Sequence, residues 1–340
     1  TVKVDADAQF DLTGPLPTGV LNFSVPTFAL NDADREKLAR IIEAMNDLHV
    51  EGQITAGGRI SMEGTRLTPD ITVTTNDAII RSKKYDAAVT GLTGSVNLTG
   101  FDPVSTPGQQ RFNIATARLG ELELNDGVVA FRVANPDSIF IERTRWSWGT
   151  KGTFWIHAFR FKPSDPEYDV EVFVENLNVN QWVALITNDR ASGSGLLYGR
   201  IPVTYRPDSD KPISFGRGFL YAQPEPGTLQ VADGQLVADL LVQSDRRFVT
   251  DPNMAIVKDR IIEALKDFKY NRLAFDFIPR EDDLQLKVST SGTGQGPNKV
   301  PIENLTVNIN GYDKLLNEKL FIELGSKEGI ENALERFFDQ

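Results

Sequence analysis

The residues that most often carry out chemistry are scarce in this chain of 340 residues. Its two histidines, His49 and His157, are far apart, and neither has a partner at metal-ligand spacing such as the second histidine of an HExxH helix. The chain has no cysteine, which excludes disulfides, thiolate catalysis and cysteine-ligated metal centres. We therefore expect structural roles for both histidines.

Two glycine-containing segments resemble a nucleophile site and a phosphate site only in part. Gly193-Ser194-Gly195 lacks the GxSxG pattern and leads into a predicted strand, whereas a nucleophile elbow leads into a helix. The stretch 292–296 is also followed by a predicted strand, whereas a phosphate loop requires a helix N-terminus there. Both are predicted to be turns, although a Ser-His-Asp arrangement of distant residues stays open.

Acidic residues are plentiful and form several short clusters. These clusters are Asp5 with Asp7, Asp32 with Asp34, Asp165 with Glu167, and Glu281 with Asp283. Two carboxylates facing a cleft would suit a glycosidase, and a denser cluster would suit calcium. No EF-hand spacing is present, and acids in turns are usually solvated. The sequence predicts no catalytic residue, no metal and no cofactor.

Aromatic residues are the more suggestive candidates. Trp146 and Trp148 alternate in a predicted strand, so both indoles share one face, and Trp155 and Phe159 follow in the next predicted strand. Such a stripe suits the core of a sandwich, the wall of a lipid groove, or a platform on which sugars stack. The residues alone leave these three roles open.

Composition limits the class of partner. The net charge of −11, without a compensating block of Lys and Arg, disfavours nucleic acid. The chain has no run of about 18 apolar residues, the length that would indicate a transmembrane helix. The chain begins at Thr1 without the features of a signal peptide, and we expect it to be a fragment from which an anchor or signal has been removed.

Alternation of apolar and polar residues dominates the chain, as at 170–174, 284–288 and 305–309. This period of two is typical of an antiparallel sheet with one face in water. Turn signals recur about every 8–12 residues, as expected for neighbouring strands joined by hairpins. Asn125-Asp126-Gly127, between two apolar runs, predicts one such hairpin turn.

Amphipathic helices are predicted at 33–48, 180–187, 254–268 and 326–338. The predicted fold class is therefore mainly β: an elongated, curled antiparallel sheet, or β-groove, built from hairpins. The three or four short helices are expected to pack on this sheet or to cap it.

From residue 110 onward, distinctive segments follow one another in a specific order. They are 122–131, 138–146, 174–179, 193–203, 216–222, 226–229, 264–273 and 301–310. In this order the chain resembles the YdbH-like family of the AsmA-like superfamily, which older descriptions label dicarboxylate transport. The resemblance implies that 111–340 is the C-terminal part of a β-groove, and that 1–110, with helix 33–48, is its N-terminal part.

The resemblance also implies a function. Family members are thought to be non-enzymatic lipid conduits in the periplasm, anchored to the inner membrane by an N-terminal helix that is missing from this fragment. Phospholipid, or another ligand with acyl chains, would slide along the apolar inner face of the groove. An outer-membrane lipoprotein is a further implied partner, which would add a strand to an exposed edge of the sheet.

The residues expected to line this groove are apolar positions of alternating strands that would face a shared concave surface. They are Leu122, Leu124, Phe131, Val133, Trp146, Trp148, Phe219, Tyr221, Leu229, Val231, Leu284, Leu286 and Val288.

Three other functions stay open. The chain could be a structural or adhesive β protein of the envelope, or a carbohydrate-binding protein that uses the face of Trp146 and Trp148. The dicarboxylate label has little support, because small dianions are usually held by paired cations in a closed pocket. Arg246-Arg247 is the adjacent arginine pair available for that purpose.

Overall fold

The computed structural model describes residues 3–30, 48–82, 86–119, 122–165, 167–206, 213–223, 226–280 and 283–310. Predicted helix 326–338 lies outside these residues. So does predicted helix 33–48, except for Leu48, which is the first residue of a strand.

The described chain is mainly β, as predicted. Its strands are β1 (Asp5–Asp11), β2 (Thr18–Leu30), β3 (Leu48–Glu63), β4 (Arg66–Ser82), β5 (Ala87–Leu98), β6 (Gly100–Phe101), β7 (Val104–Ser105), β8 (Gln110–Leu119), β9 (Leu122–Asn135), β10 (Ser138–Trp148), β11 (Gly152–Ile156), β12 (Phe159–Phe161), β13 (Tyr168–Asn178), β14 (Ala191–Gly193), β15 (Leu196–Tyr205), β16 (Ile213–Phe215), β17 (Gly218–Ala222), β18 (Gly227–Val231), β19 (Phe268–Pro279), β20 (Leu284–Gly294) and β21 (Pro301–Ile309).

Four helices are described: α1 (Val179–Thr187), α2 (Gly234–Ser244), α3 (Arg247–Thr250) and α4 (Pro252–Leu265). None of the four is long and apolar enough to cross a bilayer.

Most long strands pair with the long strand that follows them in sequence, as β2 to β5 and β19 to β21 do, whereas the short strand β14 pairs with β18. Nineteen strands form one antiparallel sheet, and β6 and β7 form a separate two-stranded hairpin. A two-residue turn joins β3 to β4, where Glu63 pairs with Arg66, and β19 pairs with β20 along its length. The predicted antiparallel sheet built from hairpins is therefore confirmed.

The chain divides into two compact units. Of the described residues, the first contains those within 3–146 and 157–167, and the second contains those within 147–156 and 168–310. All four described helices belong to the second unit. Residue 110, the predicted boundary, is the first residue of β8 and lies inside the first unit.

In the first unit, β9 continues through the position of the predicted Asn125-Asp126-Gly127 hairpin, so that prediction is wrong. The chain reverses instead between Leu119 and Leu122, which are paired. Asp126 has a φ of 51°, in the left-handed region that Asn, Asp and Gly tolerate best. Asn, Asp and Gly are favoured both in turns and at irregular positions within strands. The motif alone therefore does not distinguish a hairpin turn from an irregular strand.

Left-handed residues also interrupt the neighbouring strands. A β-bulge occurs in β4, where the pairs Gln53↔Asn76 and Glu51↔Ile79 leave one extra residue, and Asp77 there has a φ of 53°. Gly91 of β5 has a φ of 64°. Such positions bend strands and shift their alternation by one residue.

The second unit has a sheet covered by helices. Asn178 caps α1, and the Asp233 carboxylate accepts hydrogen bonds from the first two N–H groups that follow Gly234 in α2. The sequence analysis did not predict helix α2, because an aspartate followed by glycine, here Asp233-Gly234, also suits a turn. The helix predicted at 254–268 is α4, and it ends at Leu265 because Phe268 begins β19.

Tyr270 joins the core of the second unit to its glycine-containing segment. Its side chain is 1% exposed, and its hydroxyl donates to the Ser194 carbonyl oxygen at 2.6 Å. A Cβ atom placed on Gly195 or Gly227 would lie 2.1 or 2.2 Å from that hydroxyl, so both positions require glycine. Burial raises the pKa of Tyr270 to about 12.

Candidate functional site

The first unit contains a continuous apolar surface, which we call the apolar face. It crosses β2, β3, β4, β5, β8 and β9, in which residues directly opposite one another point to the same side. Three of its rows are Val25–Ala56–Val73–Val96, Phe28–Ile54–Thr75–Gly94–Phe112–Val129 and Val50–Ile80–Val89–Ala117–Leu124. Only one of these side chains, Thr75, carries a polar group.

The other side of the same strands is polar. Two of its rows are Ser24–Gly57–Thr72–Asn97 and Thr55–Thr74–Ser95–Arg111. The Asn97 amide there donates to the Asp70 carboxylate at 3.1 Å. The sheet of the first unit is therefore amphipathic, with its polar side suited to water.

The left-handed positions keep the apolar residues on one side. Leu124 and Val129 are five residues apart, so in a regular strand they would point to opposite faces. Their rows meet β3 at Val50 and Ile54, which are four residues apart and share a face. The shift of alternation at Asp126 thus brings both halves of β9 onto the apolar face.

Aromatic rings lie over glycines on this face. The rings of Phe112 and Phe131 stack at a centroid distance of 5.4 Å. A Cβ atom on Gly94 would lie 2.6 Å from Phe112, and one on Gly127 would lie 2.2 Å from the Trp146 indole. Because glycine has no side chain, the aromatic rings can lie directly on the sheet, and they extend its apolar surface.

Most side chains of the apolar face are only half-buried. The described hydrophobic residues that are fully buried in the first unit are Leu30, Ile71, Ala78 and Ile114, and all the others belong to the second unit. No described helix belongs to the first unit. Among the described residues, this unit thus presents apolar side chains without the helical layer that covers the sheet of the second unit.

Five of the predicted groove residues lie in the first unit: Leu122, Leu124, Phe131, Val133 and Trp146. Leu124 is in a row of the apolar face, and Leu122 lies two residues from it. Phe131 stacks on Phe112, Val133 lies two residues further along β9, and Trp146 covers Gly127. The structure brings these five onto the same face; their contact with lipid stays a prediction.

The other predicted residues lie in the second unit and do not form one surface. Trp148 packs on Phe154 at a ring distance of 5.5 Å. Leu284 and Leu286 are 2% and 0% exposed within the core. Three more residues line an apolar cavity under the helices: Leu229, Val231 and Val288.

Phe219 and Tyr221 lie on the side of the sheet opposite to that core, and their place in a groove stays a prediction. They are 37% and 47% exposed, whereas Leu220 between them is 0% exposed. Leu220 is in register with buried Phe275, and Phe219 is in register with Asp276. Alternation identified the strand, but both of its sides are apolar in sequence, and only the register shows which side is covered.

The residues considered above as catalytic, phosphate-binding or metal-binding candidates lie in ordinary structural positions. His49 lies in β3, not at a helix end, and its Nε2 is 2.9 Å from the Glu51 carboxylate. The Ser194 hydroxyl lies 2.8 Å from the Thr228 hydroxyl, and Gly292 lies within β20. Within the described ranges, no group of three or more His, Asp or Glu residues is placed to hold a metal ion.

Several members of the apolar face were missed in the sequence. They are residues of β2 to β8: Phe23, Val25, Phe28, Ile54, Ile80, Val89, Val96, Leu98, Phe112 and Ile114. The alternation of Leu21, Phe23 and Val25 was the available signal. The left-handed residues Asp77 in β4 and Gly91 in β5 shift the alternation within those two strands and hide it there.

Comparison with known proteins gives one family match. The model of the YdbH-like family, described as intermembrane phospholipid transport protein YdbH, matches residues 5–309. No curated protein and no solved structure matches the chain. The matched range extends over β2–β5, β8 and β9 and therefore includes all of the apolar face.

Proposed function

Since this chain belongs to the YdbH-like family of intermembrane phospholipid transport proteins, we propose that the apolar face of its first unit carries the acyl chains of phospholipids. The observation that supports this most directly is the exposure of that face. Its side chains are apolar in six adjacent strands, yet they are only half-buried by the described residues.

The dimensions of the face suit this role. Five spacings between six strands give a width of roughly 24 Å, at about 4.8 Å per strand. The acyl chains of one leaflet extend over about 15 Å, half of the ~30 Å hydrocarbon core of a bilayer. The face is therefore wide enough for both chains of one phospholipid, whether they lie along the strands or across them.

The chemistry of the face suits transport more than tight storage. Each methylene removed from water contributes about 0.8 kcal/mol, so a chain gains affinity from contact area alone. The rows offer few hydrogen-bond partners that would fix one position of the ligand. A lipid can then move from one row to the next without breaking a directional bond, while its headgroup stays in water.

The family also supports a location between two membranes. We infer that the protein works in the periplasm without catalysing a reaction, and that the full-length protein is anchored to the inner membrane. A lipoprotein of the outer membrane would bind by adding a strand to an edge of the sheet. In support, β1 pairs with β2, and all seven of its residues are exposed.

The proposal is tested with two neighbouring substitutions in β4. Val73→Asp places a carboxylate on the apolar face, and Thr74→Asp places the same group on the polar side as a control. Both proteins are loaded with a phospholipid that carries a photoreactive group on its acyl chain. We expect Val73→Asp to reduce crosslinking to β2–β9 by about tenfold or more, because desolvating a carboxylate costs over 1.4 kcal/mol.

Thr74→Asp is expected to retain crosslinking. Equal crosslinking of both variants, or no crosslinked peptide within β2–β9, would contradict the proposal. Thermal unfolding of each variant identifies a loss of folding, and Val73→Thr, which keeps the volume of the side chain, then replaces Val73→Asp.

A further inference from the structure

The second unit contains a separate apolar cavity with a volume of about 90 Å³. It lies between the helices and the sheet, where Ile186 of α1 and Leu236 of α2 face Leu229 of β18 and Phe275 of β19. All of its lining residues belong to the second unit, so the cavity is distinct from the apolar face.

The wall of the cavity has no free hydrogen-bonding group. Its two polar residues are Thr187 and Thr290, and both hydroxyls donate to backbone carbonyls. Thr187 donates to Val183 at 2.7 Å, and Thr290 donates to Arg272 at 2.9 Å. A water molecule needs two to four polar partners, so this cavity is unsuited to water and suited to hydrocarbon.

Part of the cavity wall is accessible. Leu229 and Leu236 are buried, whereas Leu240 of α2 and Val307 and Ile309 of β21 are half-exposed. Apolar side chains of α2 and β21 therefore form an accessible part of the wall.

We propose that this cavity binds the terminal part of an acyl chain, which enters between α2 and β21. Its volume is enough for about three groups of the size of a methylene or a water molecule. An unfilled void of this kind destabilises a core, and chain-end carbons recover the lost contacts. The site goes beyond the proposed function, because it would hold one chain end in the second unit, whereas the apolar face of the first unit would carry whole chains.

Trp182 of α1 reports on this site. Its indole is 5% exposed and packs edge-on against Phe275, which lines the cavity, at a ring distance of 6.1 Å. The test uses a 340-residue variant in which Trp146, Trp148 and Trp155 are replaced by Phe, so that Trp182 alone fluoresces. The probes are two lysophosphatidylethanolamines, brominated either at the chain end or next to the ester.

We expect the chain-end bromines to quench Trp182 saturably and the ester-side bromines to leave it unquenched. Ala191→Leu adds three carbons at a position that lines the cavity and is expected to weaken the quenching by about tenfold or more. Ala274→Leu adds the same atoms at a position in register with Tyr221, on the opposite side of the sheet, and is expected to change nothing.

Equal quenching by both probes, quenching that survives Ala191→Leu, or no quenching would each overturn the inference. In the last case, acyl crosslinking to β2–β9 that is lost in Val73→Asp would still support the proposed function, so the two failures are distinguishable. If the Phe-substituted protein does not fold, methyl resonances of Leu229 and Val307 in the unmodified chain replace the fluorescence. Shifts induced by the lysolipid and lost in Ala191→Leu support the site, and their absence overturns it.

Discussion

Tyr270 shows how one side chain fixes the glycine-containing segment of the second unit. Its hydroxyl bonds to Ser194, and Gly195 and Gly227 pack directly against it. In sequence, Gly195 indicated only a turn. Both positions require glycine because a Cβ atom would collide with Tyr270, which lies more than forty residues further along the chain.

The raised pKa of Tyr270 predicts a loss of stability at high pH. The unfolded chain loses this proton near pH 10, whereas the folded chain keeps it up to about 12. The stabilisation is therefore complete below pH 10 and is lost as pH rises through 12, and amounts to about 2–3 kcal/mol. Urea unfolding at pH 9 and pH 11.5 should show this loss in the natural chain but not in Tyr270→Phe. Parallel pH dependence of the two proteins would disprove it.

Gly227→Ala is expected to destabilise the second unit by about 1–3 kcal/mol through overpacking. Its Cβ atom would lie 2.3 Å from the Ser194 carbonyl oxygen as well as close to Tyr270. Gly296→Ala is the matched control, because a Cβ atom there meets nothing within 4 Å. Urea unfolding measures the free energy of unfolding of both variants. Equal values would contradict the prediction, because the added methyl group at Gly227 would then cause no destabilising overpacking.

Strands were the elements that the sequence predicted best, because alternation depends only on which residues face water. Segment 284–288 is an example, and it lies within β20. The side that is covered could not be predicted for β17, where Leu220 and its neighbours Phe219 and Tyr221 are all apolar. Helix α2 was missed because its capping residue, Asp233, followed by glycine, also suits a turn.

The break in alternation at Asp126 is tested by two substitutions. Asp126→Val is expected to cost about 1–2 kcal/mol, because a β-branched residue disfavours a φ of 51°. Asp126→Gly is expected to fold at least as stably as the natural chain, because glycine has no Cβ penalty there. Urea unfolding compares the two, and a Val variant as stable as the Gly variant would contradict the left-handed assignment.

At the scale of the whole molecule, the two units distribute their apolar residues differently. The hydrophobic core lies in the second unit, with Phe268, Phe277 and Leu286 fully buried. The first unit has the longest paired strands, but most of its apolar face is half-buried. The second unit thus gains stability from burial, whereas the first retains apolar surface for a ligand.

This difference predicts unequal hydrogen exchange. Amides of β19 and β20 are expected to exchange most slowly, because opening them exposes the densest core of the described chain. Amides of β3 and β4 are expected to exchange faster in the lipid-free protein and to slow when phospholipid is added, because a ligand that binds only the folded state stabilises it. Exchange measured by mass spectrometry would contradict this if both pairs of strands were equally protected without lipid.

The chemistry of the apolar face predicts how affinity depends on the ligand. In a series of lysophospholipids with one headgroup, each added methylene should strengthen binding about twofold to fourfold, the upper limit being full burial at 0.8 kcal/mol. Raising the salt concentration from about 0.05 to 0.5 M should change affinity little, because screening acts on charges and not on hydrocarbon contacts. Titrations below the micelle concentration measure both dependences. Affinity that ignores chain length and falls steeply with salt would mean that the headgroup, and not the acyl chain, is the part of the lipid that this protein holds.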